Sequence, residues 1–81
     1  MNIAFSDRAI NAIVGAPPAV RRAFHKQLRF LEHDLRHPSL QAKKYDESRD
    51  LWQARVNLDW RFYFTIVGDT YLIIKVIPHP K

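Results

Sequence analysis

Residues 51–67 read LWQARVNLDWRFYFTIV, and residues 68–79 continue GDTYLIIKVIPH. In the first stretch the oily side chains recur at every second position: Trp52, Ala54 and Val56, then Trp60, Phe62, Phe64 and Ile66. Between them stand Gln53, Arg55 and Asn57, then Arg61, Tyr63 and Thr65. Side chains on a strand point alternately to opposite faces, so this period of two predicts two strands, Leu51 to Asn57 and Trp60 to Val67, each with one oily and one polar face. Gly68 and Asp69 mark a turn into a third strand, Tyr71 to Ile77, which is apolar on both faces except at Lys75. Such a strand is expected at the centre of a sheet or covered on both sides.

Burying the oily faces fixes the pairing. Trp60, Phe62 and Phe64 must share the core with Trp52, Ala54 and Val56, so hairpin partners carry numbers of equal parity, and Arg55, Arg61 and Tyr63 project together from the other face. The same parity applied to the last hairpin predicts Leu72, Ile74 and Val76 in the core, with Lys75 and His79 beside the arginines. Trp52 and Trp60 are expected to pack in the interior rather than to stack on bases.

Working towards the N-terminus, residues 39–50 form a polar stretch containing Lys43 and Lys44, read as a connection. Before it the period changes to that of a helix: Val20, Phe24, Leu28, Leu31 and Leu35 fall on one stripe, Pro17 and Pro18 suit a helix start, and Pro38 closes the run. Arg21, Arg22, His25, Lys26, Arg29 and Arg36 surround this stripe and read as a solvated face. A shorter helix carries Ile10, Ile13 and Val14 on one side, with Ser6 as its N-cap and Gly15 at its end, and Asn2 to Phe5 forms a strand ahead of it. The expected fold class is α+β: one domain, residues 1–81, with two N-terminal helices packed on one face of a largely antiparallel four-stranded sheet in the order β-α-α-β-β-β.

Composition bounds the setting. Eighty-one residues support one core, which buries only about 60% of the unfolded surface. Cysteine is absent, which excludes disulfides and thiolate metal sites and points to a reducing compartment. No run reaches the length of a membrane span, and Asp7 interrupts what would be the apolar part of a signal peptide, so the expected location is cytoplasmic, with no membrane partner. A formal charge of +5 favours polyanionic partners.

The open face of the sheet gathers Gln53, Arg55, Arg61, Tyr63, Lys75 and His79 and holds no carboxylate. Cations on neighbouring strands repel, so this arrangement costs stability unless an anion lies between them. A phosphodiester suits it, because a guanidinium presents a planar fork that matches phosphate oxygens. Cleaving RNA with the adjacent 2′-hydroxyl requires removal of one proton, stabilisation of charge on the non-bridging oxygens and protonation of the departing 5′-oxygen. Arg61 and Arg55 are the candidate charge stabilisers, His79 brings a side chain type that titrates near neutrality, and Tyr63 offers a hydrogen bond or a stacking surface. His33 and His37 have a spacing that can seat a metal, but no third ligand accompanies them, and no metal or cofactor is expected.

The segment LWQARVNLDWRFYFTI followed by GDTYLIIKVIPH resembles the C-terminal three-strand meander of RelE/ParE-superfamily toxins, and with the preceding strand, two helices and the HPSL and KK segments the resemblance covers the whole chain. It implies the toxin of a type II toxin–antitoxin system, a metal-independent endoribonuclease cutting mRNA at the ribosome. By it, Arg61 matches the arginine that contacts the scissile phosphate, Arg55 a basic position on the strand before, and His79 the terminal histidine of the YoeB- and YafQ-like branches. Gln53, Tyr63, Lys75, Lys43 and Lys44 become RNA-binding candidates, and the partners implied are an acidic, partly disordered antitoxin, mRNA and the ribosome. Gln53 and Arg55 stand where RelE has two lysines, and RelE's C-terminal arginine and tyrosine have no counterpart. The alternatives are a ParE-like inhibitor of DNA gyrase without nuclease activity, and an inactive member that only binds an antitoxin.

Overall fold

A computed structural model describes residues 1–79; Pro80 and Lys81, the last two positions of the expected 1–81 domain, lie outside the described residues. The elements run β1 (Asn2–Phe5), α1 (Asp7–Val14), α2 (Pro18–His33), β2 (Lys43–Asp46), β3 (Leu51–Arg55), β4 (Trp60–Val67) and β5 (Thr70–Pro78). They build one sheet in the order β1-β5-β4-β3-β2, antiparallel throughout except for the parallel pairing of β1 with β5. The sheet therefore has five strands where the sequence predicts four.

The added strand is β2, inside the stretch read as a polar connection. KKYD has no oily alternation to announce it, because an edge strand bearing lysines keeps much of its surface in water. What makes it a strand is its partner: Lys43 pairs with Gln53 and Lys44 with Trp52 along the open edge of β3.

Local chemistry sets both helix starts where they are expected, at Ser6 and at the Pro17–Pro18 pair. Ser6 caps α1, its hydroxyl accepting the Ala9 N–H at 3.1 Å, and the same hydroxyl donates to the Ile74 carbonyl at 2.6 Å, tying the helix start to β5. Of the predicted α1 stripe only Ile13 is half-buried; Ala9 is the residue that reaches the core, while Ile10 and Val14 remain 46% and 71% exposed. Val20, Phe24, Leu28 and Leu31 of α2 are buried. The helix stops at His33, before Pro38 requires it, because Asp34 turns extended and its carboxylate accepts the Arg36 N–H at 2.9 Å. Leu35 thus leaves the helical stripe and packs against the core from the following segment.

The predicted parity holds across β3 and β4: Trp52 faces Phe64, Gln53 faces Tyr63, Ala54 faces Phe62 and Arg55 faces Arg61. Phe24, Leu31, Leu40, Phe62, Phe64, Ile73 and Val76 are fully buried between the helices and one side of the sheet. Trp52 and Trp60 are partly buried against this core, as expected.

On β5 the parity prediction fails in part. Val76 is in the core, but Ile73 and Tyr71 are buried there in place of Ile74 and Leu72. The cause is a bulge: Tyr63 pairs with Lys75, yet Phe64 pairs with Ile73, so β5 supplies one extra residue, Ile74, and every position before it changes face. Lys75 lies on the far side of the bulge and keeps its predicted place beside Tyr63.

Candidate functional site

Arg55 and Arg61 are directly opposite one another on β3 and β4. The Arg55 N–H donates to the Leu40 carbonyl at 2.8 Å and its carbonyl accepts from Gln27 at 2.9 Å, so both backbone groups turn away from β4. The pair is therefore of the non-hydrogen-bonded kind, in which facing side chains come closest. Two cations in this position repel. The Arg61 guanidinium is held below the usual arginine range, first by burial and next by the charge of Arg55, with Tyr63 and Asp59 opposing.

Arg61 is only 9% exposed. Its Nη1 donates to the carbonyls of Asn57 at 2.8 Å, Leu58 at 3.3 Å and Trp60 at 3.0 Å, which locks the guanidinium onto the β3–β4 turn. The turn is itself fixed by Asn57, whose side-chain oxygen accepts the N–H groups of Asp59 and Trp60 at 2.9 Å. A cation held this way needs little reorganisation when charge develops beside it.

His79 arrives at the same place from β5. Pro78 pairs with Trp60, and the His79 N–H donates to the Asp59 carbonyl at 2.6 Å, extending the strand alignment past its end. A cleft of about 160 Å³ results, lined by Gln41, Lys43, Gln53, Ala54, Arg55, Arg61 and His79, with no carboxylate among them. It brings together all three predicted catalytic residues and two of the predicted RNA-binding ones, Gln53 and Lys43.

The other predicted positions are placed differently. Lys44 pairs with Trp52 and so falls on the helix-facing side, where its Nζ lies 2.6 Å from an Asp50 carboxylate oxygen and over the Trp52 ring; the Asp50 bond raises its pKa. Lys75 shares the arginine face but packs its ammonium over Tyr63, 4.6 Å from the ring centre, outside the cleft lining. Tyr63 is buried; its hydroxyl accepts from Gln53 Nε2 at 2.7 Å and its ring meets Tyr45 edge-on. Tyr63 thus orients Gln53, and the exposed ring on this side is Tyr45, which the sequence reading missed because β2 was not recognised.

Gln27 was also missed. It is 4% exposed and its amide donates to the Ser39 and Arg55 carbonyls, both at 2.9 Å, while its oxygen accepts from the Ser39 hydroxyl at 2.9 Å. This clip secures Arg55 where β2 no longer covers the edge of β3. A polar residue between Phe24 and Leu28 on a buried stripe is the signal that could have found it. His37 stacks on Phe30 at 3.7 Å and its Nδ1 accepts the Ser39 N–H at 3.1 Å; among the described residues no group of three potential metal ligands occurs.

No protein-family model and no curated protein sequence matches this chain. Solved structures do. The YoeB/ParE toxin from Agrobacterium tumefaciens superposes with a TM-score of 0.82 at 10% identity, covering 99% of this chain and 100% of that one. RelE in the archaeal RelE–RelB complex from Pyrococcus horikoshii OT3 gives 0.79 at 21% identity, over 95% and 92%. The heterotetrameric YoeB–YefM toxin–antitoxin complex from Staphylococcus aureus gives 0.79 at 16%, over 99% and 98%. The chain has the fold of the RelE/ParE superfamily toxins, over essentially its whole described length. No helix among the described residues is long and apolar enough to cross a membrane.

Proposed function

We propose that this protein is the toxin of a type II toxin–antitoxin system and that it is a cytoplasmic, metal-independent endoribonuclease cleaving mRNA at the ribosome. The observation that carries this reading is the cleft, with no carboxylate among its described lining residues, in which Arg55, Arg61 and His79 converge from three adjacent strands. Solved neighbours that are toxins in complex with antitoxins support the coarser part of it.

The scissile phosphate sits between Arg55 and Arg61, whose guanidiniums neutralise the non-bridging oxygens and relieve their own repulsion. The 2′-oxygen forms a bond to phosphorus as the bond to the 5′-oxygen breaks. The 2′-hydroxyl proton leaves to solvent or a neighbouring base, and the His79 imidazolium delivers a proton to the departing 5′-oxygen. The products are a 2′,3′-cyclic phosphate, opened by water to a 3′-phosphate, and a 5′-hydroxyl. Because guanidiniums supply the positive charge, the reaction calls for no metal. Lys43 and Gln53 contact the strand beside the scissile group.

The test is induction of wild type and Arg61→Ala in cells with mapping of RNA 5′ ends. New 5′-hydroxyl ends and growth arrest with wild type alone are expected; equal arrest with both, or no new ends, would overturn the nuclease reading. Arrest with intact mRNA and blocked supercoiling by purified gyrase would assign the chain to the ParE-like, non-cleaving class instead.

A further inference from the structure

Gln41 is a wall of two recesses. One is the arginine cleft; the other, of about 420 Å³, is bounded by Leu35, Arg36, His37, Pro38, Gln41, Ala42 and Trp52. Gln41 itself adopts a left-handed backbone, φ 44°, at the end of a turn closed by its N–H on the Pro38 carbonyl. Residues other than glycine hold this conformation at a cost, and such positions cluster where a ligand is gripped.

The second recess has the character of a seat for a flat, partly apolar ring. Leu35, Pro38, Ala42 and the Trp52 indole supply apolar walls. Trp52 Nε1 is the buried side-chain polar atom without a hydrogen-bond partner among the described residues. The His37 ring is fixed by its stack on Phe30, and because its Nδ1 accepts a hydrogen bond, the neutral ring carries its proton on Nε2. The Trp52 Nε1 is sealed from solvent, so the indole offers this recess apolar surface, and the polar groups on its lining are Arg36, His37 and the Gln41 carboxamide, the last of these shared with the cleft where two arginines gather.

We propose that this recess binds a nucleobase of the RNA strand whose phosphate occupies the arginine cleft, and that Gln41 spans the two subsites. A base is separated from its phosphate by one sugar, which suits neighbouring recesses with a shared wall. The ligand class is a base presenting ring-nitrogen or carbonyl acceptors on the edge that enters, matched to the polar groups of Arg36, His37 and Gln41, with its ring against the apolar walls. This rests on the reading of the cleft as a phosphodiester site.

The experiment titrates isotope-labelled protein with three probes: inorganic phosphate, a 2′-O-methyl dinucleotide that cannot be cleaved, and its abasic counterpart. The indole N–H of Trp52 and the side-chain N–H of Arg55 are followed by NMR. The dinucleotide is expected to shift both signals, the abasic probe and phosphate only that of Arg55. Ala42→Leu, which fills the recess, should weaken dinucleotide binding about tenfold and leave phosphate binding unchanged. Gln41→Gly, which suits the left-handed backbone, should weaken the dinucleotide in the same direction. A bound dinucleotide that leaves Trp52 unmoved, or binds Ala42→Leu equally well, overturns the base subsite while the phosphate site stands. An Arg55 signal that no probe shifts overturns the phosphate site, and the base subsite with it.

Discussion

At the scale of single residues, the chain places its arginines by contacts that have little to do with charge. Gln27 is the plainest case. Its three hydrogen bonds close two carbonyls and one hydroxyl that β2 does not reach. Gln27→Leu keeps the volume but leaves the half-buried Arg55 carbonyl without its donor, while the groups of exposed Ser39 can turn to water, which should lower unfolding free energy by about 1 kcal/mol. A fall in the urea midpoint at constant m-value is the check. Arg61 is predicted to be intolerant of lysine: an ammonium cannot hold the turn carbonyls and also present a planar fork to phosphate. Arg61→Lys should reduce cleavage of a short RNA by about a hundredfold, near the cost of losing one preorganised donor to a transition-state charge. Activity within a factor of two or three of wild type would show that charge alone suffices. Arg61 as a site candidate was legible from alternation, whereas its carbonyl cage was not, because turn geometry depends on where the strands cross.

At the scale of elements, β3 and β4 were readable because each has a single oily face, so only one register buries it. β5 was not, since Tyr71, Leu72, Ile73 and Ile74 are apolar on either choice of face and the bulge opposite Tyr63 and Phe64 decides between them. That decision buries Tyr71. Burial raises its phenol pKa, with the nearby Asp34 adding to it. The neutral phenol is favoured in the folded state, so its contribution to stability is complete below the ordinary value of 10.0 and declines as pH rises above it. Melting temperature should therefore fall between about pH 9.5 and 11 more steeply for wild type than for Tyr71→Phe. Parallel curves would remove Tyr71 as a cause. β2 was unreadable for the opposite reason: its stability comes from the edge it covers rather than from its own composition.

At the scale of the whole molecule, the net charge of +5 is distributed unevenly in its effect. Lys44 is neutralised by Asp50, the cations lining the cleft are Arg55, Arg61 and Lys43, and of the basic residues of α2 Lys26 lines a separate recess beside Arg55. RNA binding at the cleft therefore draws on Arg55, Arg61 and Lys43 rather than on the full excess. Single-strand affinity should fall with a slope of roughly −2 in log K against log salt, about −0.7 for each of three phosphate contacts. A slope near −5 would mean that the α2 face is engaged as well.

The residues alone determined that two helices precede the meander, the buried stripe of α2 from Val20 to Leu31, the two alternating strands and the meeting of Arg55 with Arg61, because there periodicity and the need to bury one face leave a single solution; on α1 they did not, and Ala9 rather than Ile10 or Val14 reaches the core. Tertiary structure alone decided the fifth strand, the face of Leu72 and Ile74, the exclusion of Lys44 from the cleft and the clip made by Gln27. Each of these depends on an edge or a bulge, where the energy of a residue is set by the neighbour that arrives from elsewhere in the chain.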